Sequence, residues 1–275
     1  GKIRERFGTE PLVVEGPALQ VGHSSPFFVN DLVDNTTYTI QATLQVVSEN
    51  AYWYVDDSAN LSDQDLLKAA DVYEAQIRSG MVAALGDISR PGVDGDSRLT
   101  VLHTPLRAAD GYFGSSDQYP QAIHSHGNQR EMIYMDSGRL TPGSSNYLSV
   151  LAHELQHAIH WNQDGGEDAW INEGLSELAK EQLGYDSYFV EPFLRRPDIQ
   201  LNFWPDEIES SAAHYGASSL FLTYMAQHYG DYEAIGGLVR DPADGVRGID
   251  NYLSVYGATF EEVFKDWAVA NYLDA

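Results

Sequence analysis

Cysteine is absent from the 275 residues. This removes disulfides, thiolate metal sites and cysteine nucleophiles at once, so any metal has to be held by His, Asp or Glu. Basic residues are scarce: 16 Lys+Arg stand against 41 Asp+Glu, a formal net charge of −25. Nucleic acid and anionic headgroups call for a basic face, so neither is an expected partner. Lysine is the scarcest cation, at Lys2, Lys68, Lys180 and Lys265 only. A Lys-poor, Asp-rich chain points to an exported or salt-tolerant protein, secreted or at the cell surface. No apolar run approaches the ~18–20 residues of a membrane span. The start at Gly1 has no initiator Met and no signal-peptide pattern, so a trimmed chain is expected. Glycine (24) and proline (11) are too few, and the hydrophobic fraction of 43% too large, for a disordered or collagen-like chain. One large domain or two tightly joined ones are expected.

The apolar period changes once along the chain. From Leu12 to Val55 it is strand-like, clearest over Thr36–Val47, which is followed by the turn residues Ser48-Glu49-Asn50 and the apolar run Ala51–Val55. Ser62–Leu85 carries apolar residues three and four apart and reads as an amphipathic helix. Leu99–Leu102 is expected as a short strand, Ala108–Asn128 as loop and Glu131–Met135 as a strand. After Thr141-Pro142-Gly143-Ser144 the pattern predicts helices over Asn146–Trp161, Asp168–Leu183, Ala212–Tyr229, Tyr232–Val239, Ile249–Tyr256 and Thr259–Tyr272. Strands first and helices after make an α+β architecture. Residues 1–60 form a β-rich region and 61–275 the remainder, which parts again at 162/163.

The chemistry is concentrated in His153-Glu154-Leu155-Gln156-His157. On a helix, residues four apart differ by only ~40° in direction, so His153 and His157 share a face and can take two corners of a zinc tetrahedron. Glu154 sits beside them, within reach of a water rather than the metal. The pentapeptide alone also fits a helix with two solvated histidines. Its flanks are apolar, however, and bare imidazoles in a buried helix are costly. Downstream, Trp170-Ile171-Asn172-Glu173-Gly174-Leu175-Ser176-Glu177-Leu178 opens a second helix after the loop Gln163–Gly166. Glu173 is thereby available as a third ligand, and Glu177, one turn on, is its rival. His160 is rotated ~60° from His157 and is expected to face the loop between the helices. His124 and His126, in a loop, are expected to be solvent-exposed or local hydrogen-bonders rather than a second metal pair.

His-Glu-x-x-His followed by Asn172-Glu173-Gly174-Leu175-Ser176-Glu177 resembles the gluzincin metallopeptidases. Asn172 to Glu177 is similar to a thermolysin-like Asn-Glu-x-x-Ser-Asp pattern, with a shorter interval between the helices. His153–His157 with Ile159 and Trp161, together with Trp170–Glu177, looks closest to the hyicolysin-type bacterial peptidases. The resemblance is specific over 145–183 and looser over 211–272, where Tyr215–Ser218 and Phe260–Trp267 carry it. It implies that 61–275 is the metallopeptidase region. It also implies one catalytic Zn²⁺ held by His153, His157 and Glu173, with Glu154 as general base and Glu177 accepting the free N–H of His153. His214 or Tyr215 is the expected donor to the oxyanion, although Tyr215 stands closer to Gly216 than the corresponding Tyr of aminopeptidase-type members. Gluzincins have near this position an edge strand that pairs with an extended substrate, so the resemblance makes Glu131–Met135 a candidate for that edge; it also reads as an ordinary sheet strand. The resulting expectation is an endopeptidase acting on protein or peptide, with an aminopeptidase and a non-catalytic zinc-stabilised binding module as alternatives. The acid-rich surface leaves calcium open, and no motif speaks to oligomeric state. Between 161 and 210, twelve acids outnumber Lys180, Arg195 and Arg196, which favours cationic peptides at the cleft mouth.

Overall fold

The computed structural model describes residues 18–205 and 208–273, which form two compact units. One unit comprises the described residues up to Gly80 together with Asp87–Asn162. The other comprises Met81–Gly86 and the described residues from 163 on. The strand-like start at Leu12 lies outside the described residues. The strands belong to the first unit and the second is helical, an α+β architecture. No described helix is long and apolar enough to cross a membrane.

Among the described residues six strands form one mixed sheet: β1 (Ser24–Asp31), β2 (Thr36–Val47), β3 (Ala51–Asp56), β4 (Leu99–Thr104), β5 (Gly111–Phe113) and β6 (Met132–Asp136). Their order is β1-β2-β3-β4-β6-β5, antiparallel at β1/β2, β2/β3 and β5/β6 and parallel in the middle. The β-branched run of β2 turns into β3 at Ser48, whose backbone N–H donates to the Ala51 carbonyl (2.9 Å). Strands β3, β4 and β6 are buried at every position, as expected where both faces of a parallel sheet are covered. On one face Tyr52, Tyr54, Leu102, Met132 and Tyr134 pack with Phe27, Val29 and Leu44 of the hairpin. On the other, the Trp53 ring meets Tyr73 edge-on and His103 face to face.

The crossover from β3 to β4 is the expected helix at Ser62–Leu85, resolved as α1 (Asp63–Val72), one π-helical turn at Tyr73–Arg78 and α2 (Ser79–Leu85). Ser62 caps it, its hydroxyl accepting from the Asp65 N–H.

The crossover from β4 to β6 corrects one sequence expectation and decides between two others. Ala108–Asn128 is not all loop, for it contains β5 and a 3₁₀ turn at Ser115–Gln118. And β6, of the two readings open for it, is the ordinary sheet strand rather than the edge, for it lies between β4 and β5 with both sides paired. The edge is β5, whose three residues are too short a run for periodicity to register. Gly111 lets β5 approach the helix at Ser145–Gln163: a Cβ there would stand 2.7 Å from Val150 Cγ1 and 3.1 Å from Glu154 Cγ. The opposite edge, β1, is capped by a side chain. Asn128 Nδ2 donates to the Phe28 carbonyl and its Oδ1 accepts from the Phe28 N–H, both at 2.9 Å, which satisfies part of an open ladder.

The Ser145–Gln163 helix, α3, ends the first unit, with Gln163 falling in the second. It starts where the Ser144 hydroxyl accepts from the Tyr147 N–H (3.3 Å). The second unit contains α4 (Ala169–Gln182), α5 (Val190–Leu194), α6 (Ile208–His228), α7 (Tyr232–Val239), α8 (Val246–Ser254) and α9 (Phe260–Leu273). All but the five-residue α5 match expected helices to within a few residues. Trp170, Phe221, Phe260 and Trp267 interlock as an aromatic core, with centroids 5.5–6.2 Å apart. Gly174 brings α4 onto α6: a Cβ there would meet Leu222 Cδ1 and Ser218 Cβ at 2.9 Å. A side chain at this crossing overpacks it, at ~1–3 kcal/mol.

Candidate metal centre

The helix α3 is locked to the sheet before it reaches the motif. His103 on β4 points Nδ1 at the Tyr54 carbonyl (2.8 Å), which can only accept, so Nδ1 carries the proton and Nε2 accepts from the Tyr147 hydroxyl (2.7 Å). Burial pushes the His103 pKa down to about 4, which keeps the ring in this neutral tautomer. Tyr147 lies six residues before His153, so this contact helps set the rotation of the helix.

Further along, Leu151, Ala152, Leu155, Ala158 and Ile159 are buried, and His153 and His157 are half-exposed. Their Nε2 atoms lie 3.1 Å apart, with the rings nearly perpendicular. Two ligand nitrogens on adjacent corners of a zinc tetrahedron, with Zn–N of about 2.0–2.1 Å, are about 3.3 Å apart. Two imidazole lone pairs this close repel unless a proton or a cation lies between them. Glu154 is buried at 6% exposure and belongs to the helix surface that faces Gly111 of β5.

Ligand atoms of His153, His157 and Glu173 all lie within 4.8 Å of one another. Among the described residues this is the one group of three or more His, Asp or Glu side chains so disposed, and a metal ion could be held there. Two imidazoles and a carboxylate match the nitrogen and oxygen donors that zinc accepts. Glu177 is outside the group. It is fully buried on α4, where its Oε2 accepts from the Lys180 ammonium (2.8 Å) and the Ser187 hydroxyl (2.7 Å). Lys180 and Ser187 carried no signal in the sequence, since neither belongs to a motif.

The remaining candidates lie elsewhere. His160 is 1% exposed, with Nδ1 3.4 Å from Gln156 Nε2 on its own helix, and is not among the residues of the metal-holding group. His126 packs edge-on against Phe28, and neither it nor His124 joins the metal-holding group. His214 and Tyr215 lie within α6, as in the expected helix Ala212–Tyr229. Tyr215 stacks on Phe189 (centroids 4.6 Å) and meets Trp204 edge-on, while His214 is buried beside Phe203 and Trp204. That burial holds the His214 pKa below the usual imidazole value, so the ring is neutral at pH 7.

The loop between α3 and α4 holds an acid with an unusual affinity for protons. Glu167 Oε1 accepts from the Gly245 and Asp168 N–H groups, while Oε2 is buried with no hydrogen-bond partner. Burial, with smaller contributions from Asp168 and Asp244, raises its pKa to about 7. Because the folded state binds this proton more tightly than the unfolded chain, the group's contribution to stability is complete below the ordinary Glu value. It is lost as the pH rises from about 4.5 towards 7. Glu167→Gln keeps the Oε1 acceptor and cannot ionise, so its melting temperature should fall less than that of the parent between pH 5 and pH 8. Parallel thermal melts at several pH values check this, and identical slopes would contradict it.

Compared with models of known families and with curated proteins, the chain matches none.

Proposed function

We propose that this protein is a zinc-dependent endopeptidase acting on proteins or peptides, with the ion held by His153, His157 and Glu173. The observation that carries the reading is the metal-holding group itself. The three side chains that gather within 4.8 Å are those marked by the His-Glu-x-x-His and Asn-Glu sequences. When bound, zinc supplies Lewis-acid chemistry, acidifying water and polarising the scissile carbonyl. Glu154 takes a proton from water onto its carboxylate and passes it to the leaving amine. Its own burial and the contact of its stem with β5 keep bulk water from that carboxylate. The gluzincin resemblance gives Glu177 the role of an outer acceptor that fixes the tautomer of a ligand imidazole. His214, neutral in this environment, and Tyr215 are the candidate donors to the oxyanion.

The edge of β5 supports an endopeptidase over an aminopeptidase. Its backbone can ladder with an extended chain whatever the side chains are, and Gly111 sets that edge against the helix bearing Glu154. A non-catalytic zinc module has no need of a buried carboxylate next to its ligands, so Glu154 speaks against it. The test is casein hydrolysis with metal content measured on the same sample. One zinc per chain, activity abolished by a chelator and restored by Zn²⁺, is the expected result. Hydrolysis that survives complete metal removal, or no metal and no hydrolysis, would overturn the reading.

A further inference from the structure

The helix α4 carries Glu173, Glu177 and Glu181 at four-residue intervals, so three acids share one face and Lys180 is the helix's single cation. Glu181 is held by the hydroxyls of Ser219 (3.1 Å) and Thr223 (3.2 Å). The lysine serves Glu177. Its ammonium is 2.8 Å from Glu177 Oε2 and 5.5 Å from the centre of the Phe189 ring, and the residue is only 6% exposed. One of four lysines in a chain of net charge −25 is thus spent on a buried ion pair one turn beyond Glu173. Buried pairs are weak stabilisers compared with apolar side chains of the same volume, so stability by itself does not account for it.

We propose that Lys180 is a positioning residue for the metal centre. Together with Ser187 it clamps one oxygen of Glu177, which fixes that carboxylate one turn beyond Glu173 on the same face of α4. The cation also lies on Phe189, which stacks on Tyr215, so one side chain ties the acid of α4 to a candidate oxyanion donor of α6. This deepens the zinc reading above and rests on it.

The experiment measures Zn²⁺ affinity by chelator competition and the visible spectrum of the Co²⁺-substituted protein. The variants are Lys180→Met, Lys180→Arg, Glu177→Gln and the double variant Lys180→Met/Glu177→Gln. Lys180→Met should weaken Zn²⁺ binding about 10–100-fold, the range for losing an outer hydrogen bond to a ligand, and should alter the Co²⁺ spectrum. Lys180→Arg should recover most of the affinity. In the Glu177→Gln background the lysine substitution should add no further loss, because it acts through that carboxylate. Wild-type affinity and spectrum in folded Lys180→Met, or losses that simply add in the double variant, would overturn the proposal. Should Lys180→Met fail to fold, Ser187→Ala answers in its place: weakened Zn²⁺ binding supports the clamp and unchanged binding overturns it. Glu173→Gln serves as the control. If it loses zinc while Lys180→Met does not, only the role of Lys180 falls; if the parent binds no zinc, the metallopeptidase reading falls with it.

Discussion

Replacing Glu154 by Gln should reduce kcat for peptide hydrolysis by about 10²–10⁴-fold, the usual contribution of a positioned acid–base group, while the bound metal is retained. Gln keeps the length and shape of the side chain, so its fit between α3 and β5, where Cγ lies near Gly111, is preserved. What is lost is the ability to take a proton from water and return it to the amine. Glu154 is not part of the metal-holding group, so metal content should stay at the parental value. Measuring zinc by mass spectrometry beside casein or peptide turnover separates the two effects. Loss of metal from Glu154→Gln would mean that the residue is a ligand or a structural element, and full activity would remove it from the chemistry.

The second large effect concerns the third ligand. Glu173→Gln should weaken zinc binding by more than the ~10–100-fold expected from Glu177→Gln, because under the proposed function it deletes a metal bond whereas Glu177 has only an outer role. The geometry favours this order. Glu173 shares a 4.8 Å neighbourhood with both histidines, and Glu177 has Oε2 engaged by Lys180 and Ser187. The two acids lie on one helix face, so the substitutions are matched in environment and differ in what each carboxylate touches. Chelator competition on both variants decides between them. Equal affinities, or a weaker Glu177→Gln, would transfer the ligand to Glu177.

Much of this was legible before any coordinates. Apart from the five-residue α5, the helices of the second half occur within a few residues of where the pattern and capping residues such as Ser144 put them. The β2–β3 hairpin was readable from a β-branched run ending in Ser48-Glu49-Asn50. β5 was missed because three residues carry too little period, and the place of β6 in the sheet stayed open because chain order does not dictate sheet order. The resemblance made the strand just ahead of α3 a candidate for the edge; a return hairpin, β5 pairing antiparallel with β6, occupies that edge instead.

The sequence by itself determined the chemistry open to this protein. Without cysteine the metal donors must be His and carboxylates, and two histidines four apart on a helix present one face whatever surrounds them. These are local properties, set by composition and by the rotation per residue. The resemblance had already marked Glu173 over Glu177; the tertiary structure alone decided that Gly111 abuts Glu154 and that Lys180 and Ser187 hold Glu177. It also decided that Glu167 keeps a proton near neutral pH. Each of these depends on burial and on contacts between residues distant in the chain or brought together by turns, and desolvation and close approach leave no periodic trace in the order of the amino acids.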